Sequence, residues 1–338
     1  MILAITSFLN QLGLSYLPVN QSTTKSPSTG NLHENKNKLT SSETISLSDN
    51  TKITNSLSQQ LLNEIQTRMT ATPELKANDI AGRNSKYMDE NLVKVTDHVY
   101  CKKDNSVDIG NQVRLSNDEI AKAGIDPAIL NDRSSGFQAG VYWNNGLYIV
   151  SFRGSDEYKD YMASVRQGLG YRETQYEQAI DLAYKSLKAF GENIIFTGHS
   201  LGGGLATMAA LATGKPAVLF NSAGVSQTTL ERQGWKANIA EEMADAGLIR
   251  NYVVEHDWLD TLQKNLPIPQ VMGNQILLKN QYVPQSGNIV DSIFHYSYVT
   301  HSLDAHGLPK TLELLGTQRP WLDQEKVNAQ QVQKFYLA

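Results

Sequence analysis

The chain is poor in the features that define several protein classes. It carries one cysteine, Cys101, among 338 residues, which excludes an intramolecular disulfide framework and any multi-thiolate zinc site. The fold must therefore stand on packing, although a low cysteine count says little about compartment. No stretch approaches the roughly 20 consecutive apolar residues of a membrane-spanning helix. Positive charge is not in excess: 30 Lys+Arg against 34 Asp+Glu leave a formal charge of −4. Without a global positive field, nucleic acid is not an expected partner. The apolar start, Met1–Leu17 (MILAITSFLNQLGLSYL), lacks the Lys/Arg n-region and small-residue cleavage site of an ordinary signal peptide. Its Ile2, Ile5, Leu9 and Leu12 recur at helical spacing and suit either an amphipathic docking segment or a frayed end.

Asn20–Asn55 is dominated by Ser, Thr, Asn and Lys, has no aromatic residue, and holds too little apolar surface to offset the entropy of ordering. Residues 1–55 thus read as a polar leader or linker, and 56–338 as the folded body, with 56–135 its helical and short-strand N-terminal part. Leu57, Leu61, Leu62, Ile65 and Met69 share a helical face that Pro73 closes. Val141–Trp143 and Leu147–Phe152 flank Asn144-Asn145-Gly146 as a hairpin. A helix is predicted over Thr174–Phe190, with Thr174 and Glu177 as a capping box, Tyr176, Ile180, Tyr184 and Leu187 as its apolar stripe, and Gly191 as its stop. Ile194–Thr197, Ala217–Phe220, Ile249–Val254 and Gln275–Leu278 read as strands, and Leu205–Thr213 as a helix stopped by Gly214 and Pro216. Strands alternating with helices imply an α/β fold, a central, mostly parallel sheet with helices on both faces.

Gly198-His199-Ser200-Leu201-Gly202 is a G-x-S-x-G lying between a strand and a helix. The pentapeptide alone is a weak signal, and the strand–turn–helix context gives it weight. Glycines on either side of Ser200 permit a sharp turn that exposes its hydroxyl at the carboxyl edge of the sheet, with the Leu201 N–H aimed at the same space. The positive end of the following helix favours charge on a tetrahedral intermediate.

An activated serine needs a base, and the base needs a carboxylate; α/β-hydrolases order them Ser, Asp/Glu, His. Glu255-His256-Asp257-Trp258-Leu259-Asp260 follows the strand Ile249–Val254. Asp257 is the preferred acid and Asp260 the reserve, while Glu255 reads as strand-bound and turned away. The grouping of Glu255, His256 and Asp257 has too few well-spaced ligands to argue a metal site. Among the downstream histidines, His306 stands as a loop residue just before Gly307 and a helix start at Leu308-Pro309, the position expected of a base. His301 is second, and His295 and His256 read as structural. The second oxyanion donor is expected after an earlier strand, where Arg153-Gly154-Ser155-Asp156 could aim the Ser155 N–H at Ser200.

Phe152-Arg153-Gly154-Ser155-Asp156, Gly198 to Ala206, Asp257 after a strand, and His306-Gly307-Leu308 together resemble the class 3 lipase family. With Ser134-Ser135-Gly136-Phe137, they are similar to the secreted bacterial phospholipases A1 of that family. The likeness spans roughly Gly136 to Leu315. It implies the α/β-hydrolase fold, Ser200 as nucleophile, Asp257 as acid, His306 as base, and Ser155 with Leu201 as oxyanion hole. It also implies hydrolysis of the sn-1 ester of glycerophospholipids at a membrane surface, with no metal or organic cofactor. Secretion without a cleaved signal peptide fits, with an export chaperone or an accessory or immunity protein as candidate partners. Ser155 replaces a frequent Thr, and Tyr161 after Asp160 replaces a common Trp in the lid. The lid segment Glu157–Gly170 carries Tyr158, Tyr161 and Met162 among Lys159 and Arg166, which suits either acyl chains and lipid phosphates or an ordinary surface helix. A triacylglycerol lipase, a carboxylesterase, an acyltransferase on the same scaffold, and a non-catalytic lipid- or protein-binding module are the competing readings.

Overall fold

The computed structural model describes residues 74–101, 109–155, 170–282 and 296–323. The leader, the expected helix over Leu57–Met69, His295 and all of the expected lid except Gly170 lie outside the described residues. Strands β1 (Val113–Arg114), β2 (Asn131–Asp132), β3 (Phe137–Asn144), β4 (Leu147–Phe152), β5 (Ile194–His199), β6 (Ala217–Phe220), β7 (Ile249–Val254) and β8 (Asn274–Leu278) form an 8-stranded sheet. Its order is β1-β3-β4-β5-β6-β7-β8, with β2 paired to β3. The β3–β4 hairpin is antiparallel and turns at Asn145 and Gly146, both at positive φ (43° and 92°), as a type I′ turn requires. From β4 to β8 every pairing is parallel.

Burial on both faces explains why the central strands carry unbroken apolar runs, Ile194–Phe196 in β5 and Ala217–Phe220 in β6. In β5, Ile194 and Phe196 join one core and Ile195 the other; in β6, Ala217 and Leu219 are likewise separated from Val218 and Phe220. Six described helices are eight residues or longer: α1 (Asp89–His98), α2 (Gly170–Phe190), α3 (Leu201–Thr213), α4 (Trp258–Asn265), α5 (Tyr296–His306) and α6 (Leu308–Gln318). The first core takes Leu182 and Ala183 of α2 with Leu205 and Met208 of α3. The second takes Leu92 and Val95 of α1 with Leu308 and Leu315 of α6. A fully buried Leu, Ile or Phe contributes about 1.5–3 kcal/mol. This is the α/β architecture with helices on both faces. No described helix is long and apolar enough to cross a membrane.

Helix α2 departs from its sequence pattern. It starts at Gly170, so Thr174 lies inside it and cannot cap it. It buries Tyr176, Ala179, Leu182, Ala183 and Ser186, and leaves Tyr184 52% exposed. The alanines let the helix press against α3, so close approach rather than side-chain size sets the buried face. Helix α3 begins at Leu201, four residues before the expected start at Leu205, and ends at Gly214 in the left-handed region (φ 68°). Helix α1 is tied to β7 by a buried ion pair. The Arg250 guanidinium donates to Asp89 from Nε (2.9 Å) and Nη2 (2.7 Å), and from Nη1 to the carbonyls of Ile80 and Gly82. The Tyr252 hydroxyl donates to the same carboxylate at 2.6 Å.

Candidate active site

Between β5 and α3 the backbone turns at Ser200, with φ 56° and ψ −127°. A non-glycine residue held there costs about 1–3 kcal/mol, and the surroundings must enforce it. The Ser200 N–H donates to the Phe220 carbonyl (3.2 Å), and its own carbonyl accepts from Gly203 (3.0 Å) and Ala223 (2.9 Å). The flanking glycines are needed for close approach. A Cβ on Gly198 would strike the Gly202 carbonyl, and one on Gly202 would strike the Phe152 carbonyl. The sharp turn thus places Ser200 beyond the carboxyl end of β5 and Leu201 at the first position of α3.

Strand β7 delivers the carboxylate. Asp257 caps α4, its Oδ1 accepting the Asp260 N–H at 2.7 Å. Its Oδ2 lies 2.5 Å from Nδ1 of His306. An ionised carboxylate only accepts, so Nδ1 carries the hydrogen and Nε2 is left to face chemistry. His306 is the last residue of α5, and Gly307 caps α6. The sequence reading of His306 as a loop residue is corrected: the chain is helical up to it, and the turn comes one residue later. The indole of Trp258 stacks at a tilt on the imidazole, 4.8 Å between centroids.

Asn221, His199 and Tyr100 join the site although none was singled out for it in the sequence. Asn221 donates from Nδ2 to the carbonyls of Ala305 (2.9 Å) and His306 (3.0 Å), and its Oδ1 accepts the Val254 N–H (2.9 Å). Its place at the end of β6, with φ 43°, is a residual signal, since Asn tolerates that region better than most residues. His199 is buried. Its Nε2 lies 2.7 Å from the His306 carbonyl and its Nδ1 3.0 Å from the Tyr100 hydroxyl. Burial, and then the neighbouring His306, push its pKa down to about 3, against the raising effect of the bond to the carbonyl. Burial pushes the Tyr100 phenol well above its ordinary range.

The Tyr100 oxygen accepts the Gly154 N–H at 2.8 Å. Gly154 lies so close to the turn that a Cβ on it would come within 2.6 Å of the His199 carbonyl and 3.2 Å of Ser200 Cβ. Ser155, next in sequence, is thereby held beside the Ser200 turn. Among the described residues no hydrogen bond joins the Ser200 hydroxyl to His306; such bonds are often long before substrate binds.

The remaining candidates point elsewhere. Asp260 pairs with Lys264 at 2.7 Å. Glu255 accepts the Asn280 N–H at 3.1 Å. His301 lies 3.2 Å from Asn280 Nδ2, and burial with the nearby His256 lowers its pKa. The ring of His256 lies 5.5 Å from that of His301. Glu255, His256 and Asp257 therefore diverge, and no metal-holding cluster of three His, Cys, Asp or Glu occurs among the described residues.

A mostly parallel sheet covered on both faces, with a serine on a strained strand-to-helix turn, is the α/β-hydrolase fold. The chain belongs to the phospholipase-like family described as the Tle-like phospholipase domain, whose profile matches residues 91–298. It is 42% identical over 217 residues to an extracellular phospholipase A1 of Serratia liquefaciens, over 64% of this chain and 66% of that protein. The match thus spans just under two thirds of the relative's length. Among solved structures it is similar to the Rhizomucor miehei lipase in its propeptide complex, at 13% identity and a TM-score of 0.40 over 58% of this chain and 70% of that one. A mutant form of MDLA from Penicillium cyclopium gives 16% identity and a TM-score of 0.39 over 60% of this chain and 84% of that one.

Proposed function

We propose that the protein is a serine hydrolase that cleaves the sn-1 ester of glycerophospholipids, a phospholipase A1. The observation that carries the reading is the 2.5 Å contact between Asp257 and His306 Nδ1 beside the Ser200 turn. Family membership and the Serratia relative's name support phospholipid as the substrate. That relative's description as extracellular supports secretion. An export chaperone or an immunity protein belongs to the same proposal. So does the division into a polar leader, 1–55, and a hydrolase body, 56–338.

In this reading His306 Nε2 takes the Ser200 proton as the hydroxyl oxygen bonds to the sn-1 carbonyl carbon. Asp257 holds the tautomer and stabilises the imidazolium that forms. The carbonyl oxygen becomes an oxyanion facing the N–H groups of Leu201 and Ser155; losing one such donor typically costs about 2.7–4 kcal/mol of transition-state stabilisation. The intermediate collapses as His306 gives its proton to the departing glycerol oxygen, leaving Ser200 acylated. Water, deprotonated by the same imidazole, then releases the fatty acid and restores the serine.

A fluorophosphonate probe tests the chemistry. The folded wild type should label at Ser200, and Ser200→Ala should neither label nor hydrolyse phospholipid above a rate several orders of magnitude lower, in line with the ~10⁶ loss on removing a triad serine elsewhere. A folded wild type that stays unlabelled would favour the binding-module reading. Faster turnover of triolein or short esters than of phosphatidylethanolamine would favour a lipase or carboxylesterase.

A further inference from the structure

The geometry points to Tyr100 and His199 as positioning residues that tie the oxyanion loop to the catalytic base through one directed hydrogen-bond relay. The inference rests on the serine-hydrolase reading above and assigns work to side chains that reading leaves idle. The direction of every link is fixed by chemistry. The His306 carbonyl can only accept, so His199 Nε2, 2.7 Å away, must carry the hydrogen. A neutral His199 then has a bare Nδ1, which accepts from the Tyr100 hydroxyl 3.0 Å away. The phenol oxygen, having given its hydrogen, accepts the Gly154 N–H at 2.8 Å.

The chain therefore runs from Gly154 N–H to the Tyr100 oxygen, from the Tyr100 hydrogen to His199 Nδ1, and from His199 Nε2–H to the His306 carbonyl. No link has an alternative direction while His199 is neutral. The low His199 pKa and the raised Tyr100 pKa keep both in the required state across the neutral range.

The relay has a job that packing alone does not do. Gly154 precedes Ser155, the second oxyanion donor of the proposed mechanism, and lies against Ser200. His306 ends its helix, so its backbone carbonyl is a handle on the imidazole. Joining the two ends through the Tyr100 hydroxyl and the His199 imidazole sets the distance between oxyanion donor and base, and small misplacements of such groups cost rate rather than binding. The tilted stacking of the two imidazoles, 4.6 Å between centroids, supports the same alignment.

The test compares kcat and KM on phospholipid vesicles for the wild type, Tyr100→Phe, His199→Gln and the double variant, each normalised to probe-reactive serine. Gln keeps a donor near the Nε2 position but cannot accept from Tyr100 in the same way. Each single variant should lose on the order of tenfold in kcat with KM unchanged, and the double variant should be no worse than the poorer single.

A kcat within twofold of wild type in Tyr100→Phe overturns the relay, and so do single losses that multiply in the double variant. Should Tyr100→Phe fail to fold, His199→Asn, which keeps an acceptor for Tyr100 but no donor to His306, takes its place beside His199→Gln. Both must then lose kcat, and a wild-type kcat in either overturns the relay. An unlabelled, inactive wild type would overturn the relay and the hydrolase reading together, whereas an active wild type with indifferent variants sinks the relay alone.

Discussion

Asn221 grips the carbonyl of His306 at 3.0 Å with its amide nitrogen while its amide oxygen accepts the N–H of Val254 at 2.9 Å. One side chain at the end of β6 thus fastens the end of α5, which carries His306, to the end of β7, which leads to Asp257. Replacing Asn221 by Ala leaves the Val254 N–H without this acceptor, and a buried orphan of that kind costs about 1–3 kcal/mol. Asn221→Ala should lower both the melting temperature and kcat, with KM little changed, by thermal denaturation and steady-state kinetics.

Asp257 and Asp260 are adjacent acids with different neighbours, and a pair of substitutions separates them. Asp257→Asn presents an amide to Nδ1 and favours the wrong tautomer, for which a loss near 10⁴ in kcat is the precedent. Asp260→Asn should stay within a few-fold of wild type, because its carboxylate pairs with Lys264 rather than His306. Equal losses in the two variants would contradict the assignment.

The low pKa of His199 makes a signed prediction about stability. In the unfolded chain this group takes a proton near its ordinary 6.5, while in the fold it refuses one until about 3. Between those values the unfolded state binds more protons, so stability falls as pH falls, by up to about 1.4 kcal/mol per unit. Melting temperature followed from pH 7.5 to 4.5 should drop less steeply for His199→Gln than for wild type; parallel curves would contradict the prediction.

Asp89 is fully buried and bidentate with Arg250. Removing one partner of such a pair strands the other charge and costs about 3–5 kcal/mol. Asp89→Ala should therefore lower the denaturant midpoint strongly. Arg250 stands at the start of β7, four residues before Val254, or about 13 Å at the usual rise per residue. Serine-normalised kcat of the folded fraction should stay near wild type.

Much of this was legible in the sequence because it depends on local pattern. Apolar runs bounded by turn residues give β4 to β6, Asn145-Gly146 gives the hairpin, and the glycines around Ser200 give the strand-to-helix turn. The order Ser, Asp, His, with a cluster of acids after β7 and histidines near the C-terminus, makes Asp257 and His306 the preferred pair, with Asp260 and His301 in reserve, and the fold brings that preferred pair to 2.5 Å. What the sequence hid depends on partners distant along the chain. The buried face of α2 follows the alanines that meet α3. Nothing near Tyr100 or Asn221 signals that one reaches Gly154 and the other the end of α5. Nor does the Asp89–Arg250 pair, with its residues on α1 and β7, show in any local pattern.

The central claim is tested most directly by product analysis on a phospholipid whose sn-1 and sn-2 chains differ in mass. Mass spectrometry of the released fatty acid should find the sn-1 chain and a 2-acyl lysophospholipid with wild type, and neither with Ser200→Ala. Release of the sn-2 chain instead, or the same products from the Ser200→Ala variant, would contradict the account.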